Sequence, residues 1–133
     1  INNLLPSRMG GWVYDPTYRN SSSVFLEDDK LEKNFKNITN NRHKNNKIAI
    51  QFTEYNVGQF YGWHEDHDRI QSFTLLLNDD FEGGDLEFKN EGNIKLGLGD
   101  VIAFDSKLEH RVTKITKGVR YSLVAWVLNK PGL

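Results

Sequence analysis

A mainly β fold, a sandwich or barrel of short strands with a helix packed outside it, follows from three features of the sequence. From Lys47 onward, apolar and polar residues alternate with a period of two, the spacing that sends successive side chains to opposite faces of a strand. Turn formers break these runs at Asn78-Asp79-Asp80, Gly83-Gly84, Gly97 to Gly99 and Lys117-Gly118. Ahead of them, Leu31, Phe35 and Ile38 recur at helical spacing.

Taken in order, Gly10 to Leu26 mixes aromatic residues with Gly, Pro and the polar run Asn20-Ser21-Ser22-Ser23. That composition predicts short extended segments joined by a mobile loop, of the kind that often covers an active site. Glu27 to about Asn41 is predicted as the helix, its acidic start matching the positive end of the helix dipole. Asn40 to Asn46, polar and basic, reads as a solvated turn, with His43 facing water. Strands are predicted near 47–56, 60–66, 71–78, 85–89, 93–96, 100–105, 110–115 and 119–128. Seven or eight short strands so closely spaced imply the sandwich or barrel.

The length of 133 residues suits one compact domain, residues 1–133. A net charge of -1 gives no reason to expect nucleic acid or a membrane surface as partner. With no cysteine, disulfides, thiolate metal sites and cysteine nucleophiles are all excluded, so any metal must be held by His and carboxylate. No apolar run approaches the roughly 20 residues needed to span a bilayer. The chain is expected to be soluble and cytoplasmic, although its start at Ile1 rather than Met suggests that an N-terminal piece, with any targeting signal, has been trimmed.

Trp63-His64-Glu65-Asp66-His67 places His64 and Asp66 two apart, on one face if the segment is a strand. A third ligand is available at His110, within Glu109-His110-Arg111-Val112, on a strand that could lie beside the first in a closed barrel. Two His and one carboxylate on one face of an octahedron leave three positions open, as suits a non-haem Fe(II) oxygenase. A lone His-X-Asp arises readily by chance, so the context carries the reading. Glu65 and His67 should face away, leaving His67 a decoy or a group behind the ligands or toward substrate. In Gly118-Val119-Arg120-Tyr121-Ser122, Arg120 and Ser122 share a strand face, and a guanidinium fork beside a hydroxyl suits a carboxylate in two-point contact. The distal carboxylate of 2-oxoglutarate would fit there; the competing reading pairs Arg120 with a surface acid.

Together these segments resemble the prolyl-4-hydroxylase-like branch of the Fe(II)- and 2-oxoglutarate-dependent dioxygenases. The run Tyr55-Asn56-Val57-Gly58-Gln59-Phe60-Tyr61-Gly62-Trp63-His64-Glu65-Asp66 is similar in type and order to that family's core. Phe73 to Asn78, Gly83-Gly84-Asp85-Leu86-Glu87-Phe88 and Gly99-Asp100-Val101-Ile102-Ala103-Phe104 resemble the segments that follow it. The resemblance implies a double-stranded β-helix, a jelly-roll or cupin-like barrel with one or more supporting helices. It implies His64, Asp66 and His110 as iron ligands and, with Arg120, as the catalytic set. It also implies Arg120, Tyr55, Ser122 and Thr74 as cosubstrate-binding residues, with Ser72 and Leu76 beside Thr74 in the pocket wall. Leu76 stands where some relatives have tyrosine, and Trp126 is expected beneath the site. Arg120, where collagen-type members often use lysine, leaves the subfamily open.

The implied reaction couples decarboxylation of 2-oxoglutarate, giving succinate and carbon dioxide, to hydroxylation of an unactivated C–H bond by O2, with ascorbate supporting the iron. A prolyl residue in an extended peptide or protein is the expected substrate, lying beneath the Asn20–Ser23 loop with Tyr18 and Arg19 nearest to it. Hydroxylation of a small molecule or of another side chain, and a non-catalytic ligand-binding β-barrel, are the competing readings. Zinc hydrolysis is the further possibility for this ligand set, but it lacks an evident base and leaves Arg120 without a purpose. Oligomeric state is open.

Overall fold

Alternation in the sequence becomes alternation between two sheets. The computed structural model describes residues 5–6 and 19–131, with side chains described between 21 and 129. Its elements are β1 (Leu5–Pro6), β2 (Arg19–Asn20), β3 (Ser22–Leu26), α1 (Asp29–Ile38), β4 (Asn46–Tyr55), β5 (Phe60–His64), β6 (Arg69–Leu76) and β7 (Glu82–Gly83). There follow β8 (Leu86–Phe88), β9 (Gly92–Ile94), β10 (Val101–Asp105), β11 (His110–Val112), β12 (Ile115–Lys117) and β13 (Arg120–Pro131). A six-stranded sheet runs β1-β3-β4-β13-β6-β10 and a five-stranded sheet β2-β5-β11-β8-β9, all of it antiparallel. Setting aside the small β7–β12 pair, the chain crosses between the two sheets at every connection from β2 to β13 except β3–β4 and β8–β9. That two-sheet winding is the double-stranded β-helix expected from the resemblance.

Period-two geometry divides the six-stranded sheet into two chemically different faces. The outer face carries Ile48 and Ile50 of β4, Phe73 of β6, and Leu123, Ala125 and Val127 of β13, and onto it α1 lays Phe35, whose ring lies 5.2 Å from that of Phe73. Asp28 caps the helix by accepting a hydrogen bond from the Leu31 amide at 3.0 Å. The helix ends at Ile38, earlier than predicted, because Asn40 and Asn41 take left-handed φ of 54° and 58°, which asparagine tolerates. The inner face presents Thr53, Ser72, Thr74, Arg120 and Ser122, every one of them buried. Burial of polar groups costs free energy unless partners are found, so this face is where the fold departs from simple core packing. Between the sheets, Tyr55, Leu86, Phe88, Phe104, Val112 and Ile115 form the second apolar cluster.

All eight predicted strands are present, with ends displaced by a few residues. The Asn20–Ser23 run is a correction: it is not a mobile loop over the site. Asn20 ends β2, and Ser22 and Ser23 open β3, which pairs residue for residue with β4. Ser21 and Ser23 are buried, which serine accepts where its hydroxyl is hydrogen-bonded. Gly10 to Tyr18 lie outside the described residues.

Candidate metal and cosubstrate site

β11 lies directly beside β5, and the register sets His110 opposite His64. Both imidazoles are held by their own backbone: His64 Nδ1–H donates to the Gly62 carbonyl at 2.7 Å and His110 Nδ1–H to that of Leu108 at 2.8 Å. With the proton fixed on Nδ1, each Nε2 is the nitrogen that would present its lone pair to a metal. Tyr61 stacks on the His64 ring at 3.5 Å and Phe104 meets the His110 ring edge-on at 4.8 Å, restricting ring rotation.

Asp66 lies two residues past the end of β5, so it is not the strand residue that the spacing predicted. It still turns to the same side, because its amide donates to the Ser106 carbonyl at 2.9 Å. Its Oδ1 lies 3.5 Å from His64 Nε2 and its Oδ2 3.6 Å from His110 Nε2. One ligand atom from each residue falls within 4.8 Å of the others, and the side chains are only 7–9% exposed. Convergent acceptor atoms with so little water around them are what a divalent cation would fill. Glu65 and His67 are exposed, as predicted, while His43 is half-buried rather than fully in water.

Arg120 enters from the opposite sheet. It is 3% exposed, donating from Nε to the Gly84 carbonyl at 3.0 Å and from Nη1 to Ser122 Oγ at 3.1 Å. Ser122 Oγ in turn lies 2.6 Å from Thr53 Oγ1, and the guanidinium sits 5.6 Å over the Tyr55 ring. Among the described residues no carboxylate pairs with it; the nearby Asp85 is held by Lys95 at 3.0 Å. Burial holds the Arg120 guanidinium below its ordinary pKa, partly offset by Tyr55 and Asp85.

A cavity of about 40 Å³ joins the two halves, its wall including His64, Asp66 and His110 together with Tyr55, Thr74, Arg120 and Ser122. A larger cleft of about 330 Å³ lies on the other side of Arg120, walled by Phe81, Gly83, Gly84 and Leu76. It holds none of the three metal-type ligands, so the smaller cavity is where the chemistry would occur. Leu76 therefore borders the cleft rather than the cavity, and Ser72 meets Asp66 and Ser106 rather than the cavity wall. The indole Nε1 of Trp126, a cavity residue, is buried without a hydrogen-bond partner among the described residues.

Residues 50–128 match the 2OG-Fe(II) oxygenase superfamily. The chain belongs to that superfamily. A PKHD-type hydroxylase of Idiomarina loihiensis is 36% identical to this oxygenase-family chain over 89 residues, 59% of the chain and 41% of that protein. The chain thus spans about two fifths of the length of such curated relatives. The crystal structure of a Pseudomonas putida prolyl-4-hydroxylase shares its fold with a TM-score of 0.82 at 21% identity, covering 95% of this chain and 78% of that one. A Trichoplax adhaerens prolyl hydroxylase, solved with a hypoxia inducible factor oxygen degradation domain peptide fragment, gives 0.79 at 17% identity, covering 96% and 71%. For this superfamily member, then, the fold and the family are both settled. Its donor set of two imidazoles and a carboxylate fits Fe(II), and the unpaired buried guanidinium fits the dianionic cosubstrate.

Sequence reasoning placed His64, Asp66, His110, Tyr55, Thr74, Arg120 and Ser122, and the structure brings all of them to one cavity. It did not single out Thr53, Tyr61 or Ser106. For Thr53 a signal existed, since it shares the inward face of its strand with Tyr55.

Proposed function

We propose that this chain is the catalytic core of a hydroxylase that uses 2-oxoglutarate and O2, with His64, Asp66 and His110 holding Fe(II) and Arg120 receiving the distal carboxylate of 2-oxoglutarate. One observation carries the reading: a buried guanidinium with no carboxylate partner among the described residues shares a cavity with the three convergent side chains. A permanently charged group kept from water is costly, and a dianionic ligand is the partner that would offset the cost. When bound, iron supplies the redox chemistry by which 2-oxoglutarate and O2 become succinate and carbon dioxide while one oxygen atom enters a substrate C–H bond.

The remaining roles belong to the protein. Arg120 would offer its fork to the cosubstrate carboxylate, with Ser122 Oγ, itself fixed by Thr53, adding a hydrogen bond. Tyr55 and Thr74 would complete that wall, while Phe104, Val112 and Leu86 exclude water from the reacting centre. The proposed substrate is a prolyl residue of a peptide or protein, hydroxylated at C4. Kinship of fold with prolyl hydroxylases supports this choice. β2 is the neighbour of the metal strand, pairing Arg19 with Tyr61, so the segment once expected to cover the peptide instead flanks the site.

The test is succinate release from 2-oxoglutarate in air with Fe(II) and ascorbate, with and without proline-rich peptides. Peptide-stimulated turnover, one oxygen atom gained on proline, and loss of both in His64→Ala and Arg120→Ala are expected. Turnover without peptide stimulation would leave the oxygenase standing and redirect the substrate to a small molecule or another side chain. Folded, Fe(II)-loaded protein that neither binds nor consumes 2-oxoglutarate would overturn the enzyme reading in favour of a ligand-binding barrel.

A further inference from the structure

Three side chains are aimed at the metal position, but the carboxylate among them has no strand to hold it. Asp66 lies in the connection after β5, between exposed Glu65 and His67. A short carboxylate in a loop has two torsions and two chemically equal oxygens, so something else must choose its orientation.

Two fully buried hydroxyls do this. Ser72 of β6 donates its Oγ–H to Asp66 Oδ2, and Ser72 Oγ lies 2.9 Å from Ser106 Oγ; both serines are 0% exposed. Ser106 begins the turn from β10 to β11, and its carbonyl accepts the Asp66 amide at 2.9 Å. The same turn supplies the Leu108 carbonyl that fixes the His110 tautomer, and it is closed by Leu108 N–H to the Asp105 carbonyl at 3.0 Å and Lys107 N–H to Asp105 Oδ1 at 2.9 Å. One turn therefore sets the backbone of Asp66, the hydroxyl that orients its side chain, and the ring of His110.

We propose that Ser72, oriented by Ser106, is a positioning residue for the metal site: it engages Oδ2 of Asp66 and presents Oδ1 as the single ligating oxygen. Neither serine touches the metal position. A hydroxyl has one proton, so Ser72 donating to Asp66 leaves its lone pairs to accept from Ser106, and the relay has one sense, from Ser106 to Ser72 to carboxylate. A hydrogen bond accepted by a carboxylate ligand fixes its orientation and makes it less mobile, and removing such a partner typically weakens metal binding about 10- to 100-fold. Orientation also matters to the open positions: a carboxylate free to bind through both oxygens would occupy a place needed by cosubstrate or O2.

This inference rests on the metal reading proposed above, and the experiment separates the two. Co(II) is titrated into the full chain as wild type, His64→Ala, Ser72→Ala, Ser106→Ala and the double serine variant, following affinity and the visible absorption of the bound ion. Expected are tight binding by wild type, loss in His64→Ala, and about 10- to 100-fold weaker binding with an altered absorption band in Ser72→Ala. Ser106→Ala should fall between them and should add nothing once Ser72 is gone, since it acts through that hydroxyl. A wild type that fails to bind Co(II) overturns the metal reading and this inference with it. Wild-type affinity and spectrum in folded Ser72→Ala overturn the inference alone. Should Ser72→Ala fail to fold, Ser106→Ala decides: unchanged affinity and spectrum there overturn the relay.

Discussion

At the scale of single residues, Arg120 is a group that the protein keeps at a cost to its own stability. The guanidinium has lost its water, and in exchange it has one carbonyl, one hydroxyl and an aromatic face, with no ion-pair partner among the described residues. Replacing such a group by an apolar side chain of similar length is often neutral or stabilising. Arg120→Met is therefore expected to leave the melting temperature of the ligand-free protein unchanged or raise it by a few degrees, while weakening 2-oxoglutarate binding about 100-fold or more through loss of a charge-assisted fork. Calorimetric melting and a 2-oxoglutarate titration of the same preparation check both halves. A stability loss with intact binding would return Arg120 to a purely structural role.

At the scale of elements, the glycine pair at the end of β7 shows how backbone sets the proposed cosubstrate seat. Gly84 has φ of 63°, its carbonyl accepts the Arg120 Nε–H, and a Cβ placed on it would lie 2.3 Å from Ile115 Cδ1 and 2.9 Å from Arg120 Cδ. Gly92, with φ of 82°, has nothing within 4 Å of such a Cβ. Gly92→Ala should lose only the backbone term, about 1–2 kcal/mol, and bind 2-oxoglutarate normally. Gly84→Ala should lose about 1–3 kcal/mol more and bind it weakly, as denaturant melts and titration of both variants would show. The contrast also marks what was legible in the sequence. Period-two alternation located the eight strands because it needs only local spacing, whereas the three candidate ligands and Arg120 were singled out by residue type together with the family resemblance. The strand character of Ser22 and Ser23 was hidden, since buried serine has the same composition as a solvated loop. So was the Ser72–Ser106 pair, because two hydroxyls separated by 34 positions in sequence announce nothing until β6 and the β10–β11 turn are brought together.

At the scale of the whole molecule, the site is divided between the two sheets. His64 and His110 stand on β5 and β11 of the five-stranded sheet, while Arg120, Ser122 and Thr53 stand on β13 and β4 of the six-stranded one. Neither sheet alone holds a complete site. A ligand gripped by the metal at one end and by Arg120 at the other would tie the sheets together, so metal and 2-oxoglutarate should stabilise the fold cooperatively. Each ligand that binds only the folded state adds RT ln(1 + [L]/Kd), about 2.7 kcal/mol at a hundredfold excess over Kd. If the metal supplies half of the grip on 2-oxoglutarate, the dianion alone should raise the melting temperature little. Co(II) alone should raise it measurably, and the pair by more than the sum. Removing the ion with a chelator should abolish the effect of 2-oxoglutarate along with its own. In Arg120→Met the Co(II) increment should persist while the extra increment from 2-oxoglutarate disappears, because only the far end of the bridge has been cut. Strictly additive shifts in wild type would mean that the two ligands bind independently, and the reading of this cavity as one continuous metal and cosubstrate site would have to be abandoned.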